Sequence, residues 1–180
     1  MKRFGDGNSA GTNLLADCEA ALDGEIPAAT ALRLAEAKAR AVAARFPDAL
    51  VIGSDQVADC AGRPVGKPGS RERALVQLRE LSGRTVVFHT GVALASRGRC
   101  RTALVDVTST FRELTDAEIE SYLDREAPYD CAGSVKSEAL GIALFERIAS
   151  DDPTALIGLP LIALCRLLRA EGLTIPALPS

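Results

Sequence analysis

The run Leu50-Val51-Ile52 is short, apolar and partly β-branched, and Gly53 closes it. Such a run reads as a buried strand that delivers Ser54, Asp55 and Gln56 at its end. An ionised carboxylate directly after an apolar strand stands where α/β proteins open their ligand crevice. Asp55 is therefore the most informative acid in the chain, although a turn-forming aspartate fits the same position. Further on, Gly66-Lys67-Pro68 holds a lysine in a tight, stiff turn: the glycine allows close approach of a ligand, and the proline fixes the chain beyond. A phosphate would suit Lys67, as would plain solvent on a surface turn. It is no Walker loop, because the glycine spacing and the hydroxyl residue after the lysine are missing.

The stretch Ala132-Gly133-Ser134-Val135-Lys136-Ser137-Glu138 carries a cation, two hydroxyls and a carboxylate, more polar equipment than a simple connection needs. Glu138 can accept two hydrogen bonds from a guanine edge, or stand as a solvated loop charge. Lys38 falls on the polar side of a helical pattern, where solvation alone accounts for it, and Glu19 has no chemical context of its own. His89, the sole histidine, lies inside a strand pattern with no cysteine or second histidine near it. A packed strand histidine is expected there, rather than a zinc site or a triad with Ser54 or Ser134. Thr90-Gly91 reads as a strand irregularity, and Asp151-Asp152-Pro153 as a turn.

These residues need a scaffold, and the patterning supplies one. Leu32, Ala35, Ala39, Val42, Ala43 and Phe46 recur at helical steps between charged residues, predicting a helix over 27–46 that Pro47 ends. Residues 57–65, punctuated by Ala61-Gly62, read as a hairpin or loop. Ser70 offers a helix N-cap, and Gly83 suits the position just past that helix. Residues 84–95 and 101–112 are rich in Val, Thr and Phe, with Arg97-Gly98 as the turn of an antiparallel pair. Thr115 and Glu118 have capping-box spacing and open a helix to about Glu126. Residues 141–148 read as another strand, and Pro160 and Gly172 bracket a final helix. The expectation is one α/β domain over 1–180 with a mixed sheet flanked by helices, a divergent or shortened start over 1–24 and a tail over 173–180.

Composition narrows the function classes. The 180 residues are 47% hydrophobic and carry 21 Lys+Arg against 24 Asp+Glu, for a net charge of −3, so there is no basic field for a nucleic acid polymer. Aromatics are 4% with no Trp, which removes the stacking platforms of single-strand binders and points to a small ligand. No apolar run approaches the roughly 20 residues of a spanning helix, and the polar start is unlike a secretory signal, so a cytoplasmic location is expected. The 5 cysteines have no close pair and read as reduced, structural thiols.

Taken in order, Ser54-Asp55-Gln56-Val57, Gly66-Lys67-Pro68, Leu81-Ser82-Gly83, Thr90-Gly91-Val92, Phe111-Arg112, Ala132-Gly133-Ser134 and Gly158-Leu159-Pro160-Leu161 form one pattern. It resembles the Maf-type nucleotide pyrophosphatases from about Pro27 to Gly172. The stretch from Cys131 to Glu138, with Leu144-Phe145-Glu146-Arg147, looks like the branch acting on 7-methyl-GTP. The resemblance implies a Maf-like fold, also similar to the inosine-triphosphate pyrophosphatases, with a central cleft.

The resemblance further implies hydrolysis of a nucleoside triphosphate to monophosphate and pyrophosphate with a divalent metal, magnesium or manganese, by a homodimer. It makes Asp55 the proton acceptor or metal-linked carboxylate, Glu19 a second metal-side acid and Lys67 a phosphate contact. Lys38 and Lys136 become lysines of the cleft, and Gln56 and Glu138 the positions that choose the base. A 7-methylguanine base carries positive charge and exposes donors, which an acidic acceptor such as Glu138 favours. The family's Ser-x-Ser-Pro-x-Arg-Arg loop has at most an echo in Ser9 to Leu15, and Cys18 stands where an aspartate usually precedes Glu19. A nucleotide-binding or regulatory protein that has lost its phosphate clamp is the alternative this departure implies.

Overall fold

The computed structural model describes residues 22–176. Helix α1 (Pro27–Ala43) is followed by β1 (Val51–Cys60), β2 (Arg63–Val65), α2 (Arg71–Leu81), β3 (Thr85–Ser96) and β4 (Arg99–Phe111). Then come α3 (Asp116–Glu126), β5 (Phe145–Ala149) and α4 (Leu161–Ala170). The strands make a five-stranded sheet in the order β2-β1-β3-β4-β5, and every pairing among the described residues is antiparallel. The α/β class agrees with expectation, while the parallel pairing of a mixed sheet is not among the described residues. The reason is local: tight turns at Ala61-Gly62 and Arg97-Gly98, all at positive φ, join neighbouring strands directly.

Alternation along the strands assigns the helices to faces. Ala58 and Phe88 are partners in the β1–β3 register and belong to the main core. That core gathers Leu78 and Leu81 of α2, Ile119, Tyr122 and Leu123 of α3, and Phe111 and Phe145, whose ring centroids lie 4.7 Å apart. Full burial of each large side chain contributes about 2–3 kcal/mol. Val92 packs with Ala163 and Leu164 of α4 on this same face. The opposite face is covered by α1 through small residues: Ala35 and Ala39 meet Val51, Ala93 and Ala95. A Cβ on Gly53 would meet the Ala35 carbonyl and sit 2.7 Å from the Ala39 nitrogen, so the glycine lets the helix lie directly on the strand.

Most predicted elements match, with corrections. Strand β1 runs on to Cys60 instead of closing at Gly53, and Asp55 therefore stands inside the strand rather than at its end. Polar groups from outside the strand make this possible, as described below. Residues 140–144 form a 3₁₀ turn, and the fifth strand begins only at Phe145. Gly141 is pressed against the Lys136 backbone, which turns this segment out of the sheet. Thr90-Gly91 lies in unbroken register with β1 and β4 rather than at a strand irregularity, and α1 stops at Ala43, short of the expected 46, while the capping signals act as read. The Ser70 hydroxyl oxygen accepts from the Arg73 N–H, Thr115 and Glu118 form a reciprocal capping box, and Gly83 and Gly172 adopt positive φ past their helices.

Candidate functional site

Asp55 points toward α1, where the Lys38 Nζ donates to its Oδ1 at 2.5 Å. The pair is half-buried, with side-chain exposures of 29% for Lys38 and 15% for Asp55. A carboxylate in mid-strand is tolerable because this ammonium meets it, and the ammonium arrives because small residues let α1 approach closely. The start of α1 is itself anchored: the Glu25 carboxylate accepts from the Arg33 Nε at 2.7 Å and from the Thr30 hydroxyl at 2.9 Å. Arg33 holds the Glu25 carboxyl down to about 2. Glu19 lies outside the described residues.

Gln56, the next residue, necessarily faces the other side of the sheet. Its Nε2 lies within hydrogen-bond reach of three acceptors, the Thr90 hydroxyl at 3.0 Å and the carbonyls of Ala155 at 2.9 Å and Leu156 at 3.1 Å. The Ser54 hydroxyl lies within reach of the carbonyl oxygens of Gly91 at 2.8 Å and Gly158 at 2.6 Å. Ser54 and Gln56 thus fasten the 155–158 segment to β1, and Asp55 alone of the three meets α1. Asp152, 2% exposed, fixes the far end of that segment by accepting from the Ile162 and Ala163 N–H groups at the start of α4. Burial alone would raise its carboxyl, but these bonds and Thr154 hold it below the ordinary range.

Lys67 follows β2. Val65 pairs with Ala58, so the chain leaves β2 running back along β1 in the direction of Gln56 and Asp55, with Lys67 two residues on. Lys67 is exposed, without an ion pair among the described residues. The Gly66 carbonyl accepts from the Gly133 N–H at 3.4 Å, which joins the Lys67 turn to the loop carrying Lys136 and Glu138. In that loop the Lys136 Nζ donates to the Glu126 carbonyl at 2.7 Å, at the C-terminal end of α3, and Glu138 is exposed. The structure therefore joins Lys38 to Asp55, and the Lys67 turn to the Lys136–Glu138 loop, and sends the Gln56 side chain to the other face. A cavity of about 660 Å³ lies between β2 and α2, lined in part by Cys60, Val65, Gly66, Gln77 and Arg84; neither Asp55 nor Lys38 lines it.

His89 is buried within β3 on the Asp55 face, where residues 55 and 57 of β1 pair with 91 and 89. Its Nδ1 lies 2.7 Å from the Asp106 Oδ1 and its Nε2 3.5 Å from the Asp59 Oδ2. The Ser54 and Ser134 hydroxyls are engaged elsewhere, with backbone and with Gln77. Sequence reasoning missed this three-strand polar row, because its members are far apart in the chain and only the register aligns them. The four described cysteines are free, and burial pushes the thiols of Cys100 and Cys131 up, which makes them weak nucleophiles. No group of three or more metal-binding side chains occurs among the described residues, and no described helix is long and apolar enough to cross a membrane. Magnesium and manganese, however, take one or two carboxylates and complete their shell with substrate phosphates and water. Asp55 fits that demand: its Oδ2 accepts no hydrogen bond from the described residues.

The chain matches the family described as Maf-like protein over residues 9–171. A 7-methyl-GTP pyrophosphatase of Polaromonas sp. is 59% identical over 159 residues, 87% of this chain and 73% of that protein. One from Xanthomonas axonopodis is 59% identical over 158 residues, 88% of this chain and 83% of its own. Another, from Bordetella pertussis, is 59% identical over 150 residues, 83% and 75%.

Proposed function

Because the chain belongs to the Maf-like family, we propose that it is a nucleoside triphosphate pyrophosphatase acting on 7-methyl-GTP, the activity named for relatives 54–59% identical to it. The observation that carries the reading is the Lys38–Asp55 pair, an ammonium and a carboxylate set together under α1.

In this reading a water oxygen attacks the α-phosphorus, its proton passes to Asp55, and the bond from the α-phosphorus to the bridging oxygen breaks. Pyrophosphate leaves, and 7-methyl-GMP remains. Lys38 holds the carboxylate in one orientation. Lys67 and Lys136 are the cations available to the phosphate chain, Lys136 after leaving the Glu126 carbonyl. A divalent cation held by Asp55, with Glu19 as the second acid, would supply charge neutralisation on the leaving phosphates. Glu138 accepts from the donors of a cationic purine, and Gln56 keeps an Oε1 that accepts no bond among the described residues. The resemblance carries with it a cytoplasmic location and a homodimer, which light scattering checks.

The test is pyrophosphate release from 7-methyl-GTP, GTP, UTP and dTTP with magnesium or manganese, with and without chelator, using Asp55→Asn as control. Metal-dependent release that favours 7-methyl-GTP and disappears in the variant supports the proposal. Equal activity in Asp55→Asn refutes the role of Asp55, and preference for UTP or dTTP refutes that of Glu138. Saturable binding of 7-methyl-GTP without turnover identifies a binding protein instead.

A further inference from the structure

Gln77 stands on α2, and its sequence context reads only as a polar position on an amphipathic helix. Both ends of its carboxamide are nevertheless engaged. The Nε2 donates to the Gly66 carbonyl at 3.1 Å, and the Oε1 accepts from the Ser134 hydroxyl at 2.5 Å. The orientation is unambiguous, since a carbonyl oxygen can only accept and must face the NH₂ group. The Gly133 N–H donates to the same Gly66 oxygen at 3.4 Å, so Gly66, Gln77, Ser134 and Gly133 close a ring of polar contacts. One side of that ring is the turn that presents Lys67. The other is the loop that presents Lys136 and Glu138.

The loop side is held in a conformation it would not choose alone. Ser134 has φ of +59° and is wholly buried, and Gly133 before it has φ of +66°. A left-handed non-glycine residue costs of order 1 kcal/mol and persists only where its surroundings over-determine it. The surroundings here are Gln77 on the hydroxyl and Tyr122 on the backbone: the phenol donates to the Ser134 carbonyl at 3.1 Å and accepts from the Lys136 N–H at 3.0 Å. Burial pushes that phenol up to about 12, so it remains a donor.

We infer that Gln77 is a positioning residue that locks the Lys67 turn and the Lys136–Glu138 loop into one arrangement, so that phosphate contact and base contact are set together. The inference rests on the proposed reading that both loops serve one nucleotide. An apolar residue at position 77 would pack equally well against the helix surface but would leave the Gly66 carbonyl with one donor fewer and the buried Ser134 hydroxyl without a partner.

Two variants of the full-length protein separate this from a general packing role. Gln77→Glu is isosteric, keeps an acceptor for the Ser134 hydroxyl and removes the donor to Gly66. Ser134→Ala keeps the Cβ and removes only the hydroxyl. Hydrogen exchange read by mass spectrometry follows segments 66–69 and 131–138, and pyrophosphate release gives kcat and KM. In each variant both segments are expected to exchange about tenfold faster while β3 and β4 keep their protection, and KM for 7-methyl-GTP is expected to rise about tenfold with a smaller change in kcat. Faster exchange confined to one segment, or unchanged exchange in both, overturns the coupling. A lowered melting temperature with reduced kcat and unchanged KM is what a merely structural residue gives, and also overturns it. Absence of turnover in the wild-type protein refutes the activity reading, and the exchange measurement then decides alone whether Gln77 couples the loops.

Discussion

Gly53→Ala tests how the fold sets the Lys38–Asp55 contact, because its effect passes through α1. The added methyl would meet two backbone atoms of the helix, the Ala35 carbonyl oxygen and, at 2.7 Å, the Ala39 nitrogen. Neither atom can swing aside as a flexible side chain can. An ordinary Cβ contact begins near 3.4 Å, so clearing the Ala39 nitrogen takes about 0.7 Å of retreat by α1 or bowing of the strand, and the Ala35 oxygen, which lies closer still, takes more. Lys38 lies between those two helical residues, and Asp55 is the next residue on the same face of β1, so the 2.5 Å contact opens by a comparable distance. Overpacking of this kind costs about 2 kcal/mol, equivalent to a fall in melting temperature of about 4–8 °C for a chain of this size. A displacement approaching 1 Å at a reacting group lowers kcat/KM by about tenfold or more. Thermal unfolding and steady-state pyrophosphate release measure the two effects on one preparation. A Gly53→Ala protein with unchanged melting temperature and unchanged kcat/KM would show that α1 does not rest on β1 as described.

Lys38→Met keeps the aliphatic stem and removes the ammonium, leaving a half-buried carboxylate unpaired; we expect about 1–3 kcal/mol of lost stability by denaturant titration and at least tenfold lower kcat/KM. Asp152→Ala removes the acceptor of the Ile162 and Ala163 N–H groups and should cost about 1–2 kcal/mol, read as a melting temperature lower by about 2–8 °C. The Glu118 carboxyl is held at about 2, against a reference of 4.5, by the Thr115 backbone N–H first, then the Thr115 hydroxyl and Arg112. Because the folded value is the lower one, its contribution is complete above about 4.5 and is lost as pH falls toward 2. Melting curves across that window should therefore fall less steeply for Glu118→Gln than for the wild-type protein, and identical slopes would contradict the assignment.

Elements governed by neighbours in sequence were legible before the structure. The Thr115–Glu118 capping box, the Ser70 cap and the Arg97-Gly98 turn each rest on residues a few positions apart, and each is found as read. Strand β1 reads short in the sequence because Ser54, Asp55 and Gln56 interrupt its apolar run. The groups that satisfy them come from Lys38 and from carbonyls at 155–158, contacts that only tertiary structure creates. The strand expected from Gly141 failed for a similar reason, since the Lys136 backbone beside that glycine is a neighbour that periodicity cannot report. At the site, the resemblance supplied the residues, whereas their grouping came from the fold: Asp55 and Gln56 are adjacent in the chain and turn to opposite faces. Gln77 and Tyr122 carried no local signal, because a polar helix position and an aromatic core position look ordinary until the loops they hold are in place.

Turnover of 7-methyl-GTP in ¹⁸O-enriched water, with both products analysed by mass spectrometry, addresses the account's central claim most directly. Attack at the α-phosphorus by a water that Asp55 deprotonates predicts one heavy oxygen in 7-methyl-GMP, none in pyrophosphate, and no labelled product from Asp55→Asn. Label appearing in the pyrophosphate, or labelled monophosphate formed by the variant at the wild-type rate, would contradict it.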